Sequence, residues 1–221
     1  MNPISVIITG ASGMVGEGVL HECLNSDMVA RVLVVGRRSC QVTHPKLTEV
    51  LTKDFFSLES IRPSLLGYDA TFFCLGVSSV GMKAEEYTRL THTLTLNFAS
   101  AVAEENPGSV FCYISGAGTD SSEKGRSMWA RVKGRTENDL QRLNFSKAYC
   151  FRPGYIHPIP GMKFTLPMYR YVDWAWPMFR TLFPNYCSRL QQIGQAMINA
   201  VLNRPEKIVL EVRDINQLSA Q

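Results

Sequence analysis

Ile4-Ser5-Val6-Ile7-Ile8-Thr9-Gly10-Ala11-Ser12-Gly13-Met14-Val15-Gly16 sets a strand-like run against a glycine-rich turn, and a helix-like pattern from Met14 to Asn25 follows it. The β-branched run reads as a strand. Gly10, Gly13 and Gly16 recur at every third position between strand and helix. That is the context in which such a turn holds the pyrophosphate of a dinucleotide. The first glycine permits the tight turn, the second lets backbone approach the phosphates, and the third lets the helix pack closely on the sheet. Amides at the helix N-terminus and the helix dipole favour the negative charge. Ser12 adds a hydroxyl donor. Gly10, Ser12, Gly13, Met14, Val15 and Gly16 are therefore the expected phosphate-binding set, with a ligand-free turn of the same shape as the alternative.

Strand-like and helix-like segments alternate outward from this point. Strands are expected at 31–36, 47–53, 70–75, 110–115, 148–152 and 207–211, and helices at 85–105, 127–143 and 189–202. The run Arg31-Val32-Leu33-Val34-Val35-Gly36 is almost wholly apolar after its first residue, as a strand covered on both faces must be. The pattern predicts an α/β fold, a doubly wound parallel sheet of Rossmann type, in one domain spanning 1–221. One stretch breaks the rhythm. Eight of the 22 aromatic residues lie between Pro158 and Ser188, from Phe164 to Tyr186. Segment 158–188 is expected to be an insertion or lid on the substrate side. Its aromatics suit a pocket for an apolar or aromatic small molecule. Its Lys163, Arg170 and Arg180, followed by Arg189, against the single acid Asp173 suit a membrane-surface or protein contact equally well.

The totals narrow the field. The chain has 221 residues and is 45% hydrophobic, enough to bury a full core. No run of apolar residues is long enough to cross a bilayer. The start, Met1-Asn2-Pro3-Ile4, lacks the basic region and cleavage site of a secretory signal, so cytoplasmic residence is expected. The formal net charge of +4 comes without a basic tract, so nucleic-acid binding is not indicated. Six scattered cysteines form no C-x-x-C pair and read as buried thiols in a reducing compartment, with no metal site.

Gly36-Arg37-Arg38 ends the second strand. An NAD site places an acid here to accept from the ribose 2′-hydroxyl. Arginine instead pairs with a 2′-phosphate through a bidentate fork. Arg37 and Arg38 thus favour NADP(H) over NAD(H), with solvated loop charges as the alternative.

Thr9-Gly10-Ala11-Ser12-Gly13-Met14-Val15-Gly16 resembles the T-G-x-x-G-x-x-G signature of the short-chain dehydrogenase/reductase superfamily, in its extended and atypical branches. Ser115-Gly116-Ala117 and Arg152-Pro153-Gly154 extend the resemblance over almost the whole chain, nearest to the Tat-interacting-protein oxidoreductase-like group and its bacterial relatives. The resemblance implies that Asp54-Phe55 cradles the adenine and that Leu75-Gly76-Val77 runs along the cofactor. Asp54 reads equally well as a helix N-cap. It implies further that Pro153, Gly154, Tyr155 and Ile156 lie beside the nicotinamide.

Active members of the superfamily use a serine at the end of the fifth strand and a Tyr-x-x-x-Lys on the next helix. Ser115 and Lys133 match those positions, as orienting hydroxyl and as the cation that holds the ribose. The tyrosine position holds Trp129. An indole N–H donates a hydrogen bond but exchanges no proton at neutral pH. Tyr155 carries an exchangeable proton near the expected site, and His157 titrates in a useful range. Ser115, Lys133 and Tyr155 are thus the candidate catalytic set, each with a structural alternative. Two readings follow. One is an NADP(H)-dependent oxidoreductase acting on a small carbonyl or enone. The other is a non-catalytic NADP(H)-binding regulator or scaffold, favoured by Trp129. A nucleotide-sugar epimerase is disfavoured by the short chain.

Overall fold

The computed structural model describes residues 2–157, 162–164 and 186–221. Seven parallel strands form its main sheet in the order β3-β2-β1-β4-β5-β6-β9. These are β1 (Ile4–Thr9), β2 (Val29–Gly36), β3 (Leu47–Leu51), β4 (Ala70–Phe73), β5 (Val110–Ile114), β6 (Lys147–Arg152) and β9 (Val209–Glu211). A second, two-stranded parallel sheet pairs β7 (Tyr155–His157) with β8 (Cys187–Arg189). The order reverses between β1 and β4, so a crevice opens at the C-terminal ends of these two strands. Ligands of open α/β sheets bind at such a reversal.

Period-two alternation assigns the strand residues to two cores. Val6, Ile8, Val32, Val34, Phe72, Cys112 and Phe151 face one side, where α1 (Met14–Asn25), α5 (Leu190–Asn203) and α6 (Val212–Leu218) cover them. Ile7, Leu33, Val35, Phe73, Phe111 and Tyr113 face the other, beneath α3 (Leu94–Glu105) and α4 (Met128–Leu140). On the first side α1 and α5 approach very closely. A Cβ on Gly18 would stand 2.2 Å from Leu190 Cγ, and one on Gly194 would stand 2.7 Å from Glu22 Cβ.

The bounds of β1 and α1 coincide with the sequence expectation. Other strands end earlier than expected: β3 at Leu51, β4 at Phe73 and β5 at Ile114. At each of these ends the backbone leaves the ladder to build the crevice. The helix expected at 85–105 is present but composite. It comprises α2 (Ala84–Thr88), a π turn at Arg89–Thr93 and α3. Threonine hydroxyls bond back one turn here, Thr88 to Ala84 O at 2.7 Å and Thr95 to Thr91 O at 2.5 Å. Such back-bonding competes with regular helix geometry. The three-residue strands β7 and β8 and the short α6 were not expected. All six cysteines are free thiols. Of the aromatic segment, only 162–164 and 186–188 lie within the described residues, and the lid expectation for 158–188 otherwise falls outside them.

Candidate functional site

Gly10 adopts φ +74° and turns the chain directly against β4. A Cβ here would stand 2.8 Å from the Cys74 carbonyl carbon, so only glycine allows β1 and β4 to end this close together. Gly16 is as constrained, because its Cβ would fall 2.1 Å from Gly10 O. Gly13 differs. It is exposed and extended, and its Cβ would meet Gly10 O at an ordinary 3.4 Å. Internal packing therefore does not require glycine at 13, whereas a ligand approaching the backbone would. No side chain caps α1 at Gly13, which leaves the amides of Met14, Val15 and Gly16 without an intrahelical acceptor. Ser12, Met14 and Val15 are half-buried beside them. The cradle thus fits a dinucleotide pyrophosphate.

Beyond the cradle lies a cavity of about 150 Å³ lined by Arg37, Lys53, Asp54, Phe55, Phe56, Leu75, Gly76, Val77, Leu90 and Leu94. All five expected positions from Asp54-Phe55 and Leu75-Gly76-Val77 meet here, with Arg37 at the rim. Arg38 is exposed and is not among the lining residues. Asp54 caps no helix. Its Oδ1 accepts the Phe56 amide at 2.9 Å in a local turn, and the next helical turn is a 3₁₀ segment at Arg62–Leu65. Of the two readings of Asp54, the N-cap is therefore corrected and the cavity wall is found. Phe55 is 3% exposed and its carbonyl accepts Asn97 Nδ2 at 2.8 Å, so α3 fixes this wall. Arg89 lies over the Phe56 ring at 4.9 Å. Lys53, Phe56, Leu90 and Leu94 were missed from sequence. Leu90 and Leu94 sit at i, i+4 on the helix that passes the cavity, a spacing that offered a signal.

The opposite end of the crevice is built from side chains. Ser115 is 1% exposed, and its hydroxyl lies 2.5 Å from Glu137 Oε1 and 3.1 Å from Phe151 O. It follows Tyr113 onto the sheet face that α4 covers. The expectation of a free orienting hydroxyl is corrected here, because the hydroxyl points into the protein and bonds a buried carboxylate. Glu137 is the residue that sequence reading missed, although it lies one helical turn beyond Lys133. It is 2% exposed and receives Arg152 Nε at 3.0 Å and a second bond from Arg152 Nη2. Arg152 also reaches Glu211 at 3.2 Å and Ser121 Oγ. Glu137 and Glu211 raise the Arg152 guanidinium above its ordinary value, against the opposing effect of burial.

Lys133 Nζ donates to the Ser115 carbonyl. Burial pulls its ammonium down to about 8 from 10.5, and nearby Glu137 opposes the shift. Gly116, at φ +113°, presents no side chain to it, and its Cβ position lies 3.9 Å from Lys133 Nζ and 4.0 Å from Pro153 O. The Ala117 amide donates to the same Pro153 carbonyl at 2.8 Å, which ties the β5 and β6 ends together. Trp129 is half-buried, and its indole packs 3.4 Å from the Cβ position of Gly118. Pro153 is buried, whereas Gly154, Tyr155 and Ile156 are half-buried. A Cβ on Gly154 would fall 2.3 Å from Tyr186 O, so glycine admits the returning chain. Tyr155 and His157 stand on β7, in register with Cys187 and Arg189.

One further contact reaches the cradle. Glu17, in the first turn of α1, is 3% exposed and accepts the amides of Lys163 at 2.8 Å and Phe164 at 2.9 Å. Lys163 Nζ donates to Gln41 O at 2.9 Å. The start of the aromatic segment is thus fastened to both α1 and the loop after Arg37.

Residues 6–126 match the model of the NAD dependent epimerase/dehydratase family. Protein HTATIP2 of Rattus norvegicus is 30% identical over 154 residues, covering 69% of this chain and 62% of that protein. Protein fmp52, mitochondrial, of Emericella nidulans is 29% identical over 158 residues, covering 69% and 66%. The chain therefore spans less than two thirds of either relative. Among solved structures, a short chain dehydrogenase from Burkholderia cenocepacia in complex with NADP superposes with a TM-score of 0.66 at 13% identity, covering 99% of this chain and 93% of that one. The Bordetella bronchiseptica enzyme WbmF in complex with NAD+ gives 0.67 at 13% identity, covering 99% and 77%. These two share the fold. Among the described residues no helix is long and apolar enough to cross a membrane.

Proposed function

The chain belongs to the NAD dependent epimerase/dehydratase family, and on that premise we propose that it is an NADP(H)-dependent oxidoreductase reducing a small carbonyl or related apolar substrate. The observation that carries this reading is the placement of three groups at the C-terminal ends of the parallel strands: the glycine cradle after β1, the cavity lined by Arg37 and Lys53 after β2 and β3, and Lys133 bonded to the end of β5. Arg37 and Lys53 flank the cavity that would take the adenosine. A 2′-phosphate there gains charge-assisted hydrogen bonds that a hydroxyl does not. Among the described residues the only acid lining the cavity, Asp54, is engaged with the Phe56 amide, a poor arrangement for claiming the two hydroxyls of an NAD ribose. Gly10 to Gly16 hold the phosphates, and Lys133 holds the nicotinamide ribose. A bound reduced nicotinamide supplies the hydride.

Titration of the protein with NADPH and NADH, followed by nicotinamide fluorescence, tests the cofactor. NADPH is expected to bind at least about tenfold more tightly, a difference of about 1.4 kcal/mol. Equal or tighter NADH binding overturns the preference. Substrate-dependent oxidation of NADPH across a panel of aldehydes, ketones and enones tests turnover. One observation favours a second reading, a non-catalytic NADP(H)-binding regulator. Trp129 stands where the superfamily tyrosine is expected, and Ser115 is turned inward. Tight NADPH binding with no turnover on the panel selects that reading.

A further inference from the structure

Resting on the oxidoreductase reading, we infer that Lys133 is itself the proton donor of the reduction, its Nζ facing the substrate oxygen in the space that Gly116 leaves open. Three observations lead there. First, the two groups expected to handle the substrate oxygen are absent from the role. Trp129 offers only an indole N–H and packs on Gly118, and the Ser115 hydroxyl is bound to Glu137 at 2.5 Å. Second, the end of β5 presents no side chain toward the ammonium. The Gly116 Cβ position is 3.9 Å from Nζ, room for a ligand atom at contact distance. Third, Lys133 is aimed. Its Nζ gives one hydrogen to the Ser115 carbonyl, and the ammonium carries two more.

The electrostatic surroundings allow the transfer. Glu137 lies one turn along α4, and Arg152 of β6 neutralises it through two hydrogen bonds. Tyr113 of β5 and Cys150 of β6, which feel the Glu137 charge from the sheet, are both pushed up by burial and stay neutral. β7 adds Tyr155 and His157 at the same strand end. The Lys133 ammonium is therefore desolvated without a partner strong enough to hold its proton, and it titrates near about 8. That is close to the working pH, where a general acid is most effective. In the step, the carbonyl carbon takes the hydride that the reduced nicotinamide supplies, and the carbonyl π pair moves to oxygen. Oxygen takes a proton from Lys133 Nζ, and the neutral amine regains one from water. In the reverse direction the neutral amine accepts the alcohol proton.

Competitive acetylation with acetic anhydride across a pH series, read peptide by peptide by mass spectrometry, tests the amine in the unmodified protein. Lys133 is expected to show a midpoint of about 8, well below its ordinary 10.5, and to be protected by NADPH. A Lys133 midpoint near 10.5 overturns the inference. Reduction of a carbonyl panel headed by 4-nitrobenzaldehyde then tests the role. Lys133→Arg keeps a cation for the ribose but cannot titrate. With NADPH saturating, kcat is expected to fall at least about 100-fold and the alkaline fall of the pH profile to disappear. An unchanged kcat and profile overturns the inference. So does NADPH binding by the parent with no reduction of any carbonyl in the panel, which leaves the cofactor reading standing. Absence of NADPH binding overturns the oxidoreductase reading itself.

Discussion

The two ends of the crevice are made of different material. Around Gly10 the shape is written in backbone. Cys74, Gly10 and Gly16 touch through main-chain atoms, and added side chains would collide at 2.8 Å and 2.1 Å. Around Lys133 the shape is written in side chains, with Ser115, Glu137, Arg152 and Ser121 joined by hydrogen bonds. Backbone sites tolerate few residues, because any Cβ meets atoms that cannot move. Side-chain sites tolerate exchange wherever a residue lies outside the bonded network. Trp129 lies outside it, packed on Gly118. The tyrosine position can therefore hold tryptophan while the fold and the phosphate cradle stay intact.

The side-chain end is most vulnerable at Glu137. Glu137→Ala leaves the Arg152 guanidinium, 11% exposed at its side chain, facing a vacated carboxylate site. Loss of one partner of such a pair costs about 3–5 kcal/mol, and the remaining contact to Glu211 favours the lower figure. Urea denaturation measures it, and a loss under about 1 kcal/mol would show that the network is not structural. Next come the glycines. Gly16→Ala is expected to cost about 1–3 kcal/mol by forcing the turn open, and to abolish nucleotide binding. Gly13→Ala is the sharper variant. Stability should stay within about 0.5 kcal/mol of the parent, as at ordinary surface sites. NADPH affinity should still fall at least about tenfold, since the added methyl occupies the ligand's side. Equal effects of the two substitutions on folding would erase the distinction between a glycine the fold needs and one the ligand needs.

Arg37→Glu is expected to weaken NADPH about 10- to 100-fold with little change for NADH, because the substitution replaces a phosphate donor with a like charge. A different readout is a pH dependence. The folded-state value of Lys133 is lowered from 10.5 to about 8, so above about 8 the unfolded chain holds more protons than the folded protein. Stability contributed by this group therefore rises as pH increases from about 8 to 10.5, and below about 8 the cost of the buried charge is constant. Lys133→Met removes that cost. Its stability advantage over the parent should shrink through this window, and an advantage that does not change with pH would contradict the desolvated amine.

The same contrast explains what was legible in the sequence. β1, α1 and the glycine turn lie at the expected residues because a long β-branched run, three spaced glycines and a helical apolar pattern all agree. The cavity brings together Arg37, Asp54 and Leu75 to Val77, positions already singled out in the sequence at or just past strand ends. Lys53 was missed because its role depends on where the chain turns after β3. The side-chain end was less legible. Alternation along β5 places Ser115 on the Tyr113 face, beneath α4, and that parity argument would have found Glu137 opposite it. β7 and β8 span three residues each, too short for a periodic signal. Asp54 illustrates a local ambiguity, since the same carboxylate that caps helices also closes a two-residue turn.

The glycine contacts between α1 and α5 bear on how the protein is made. Gly18 meets Leu190, and Gly194 meets Glu22, across some 170 residues of chain. During synthesis the first strands and α1 leave the ribosome long before 190–203 exist to cover them. The apolar face of α1 must wait, exposed, until residues 190–203 have been made. Contacts this distant slow folding and prolong the life of sticky intermediates. The helix that opens from the cradle is thus covered long after it is made.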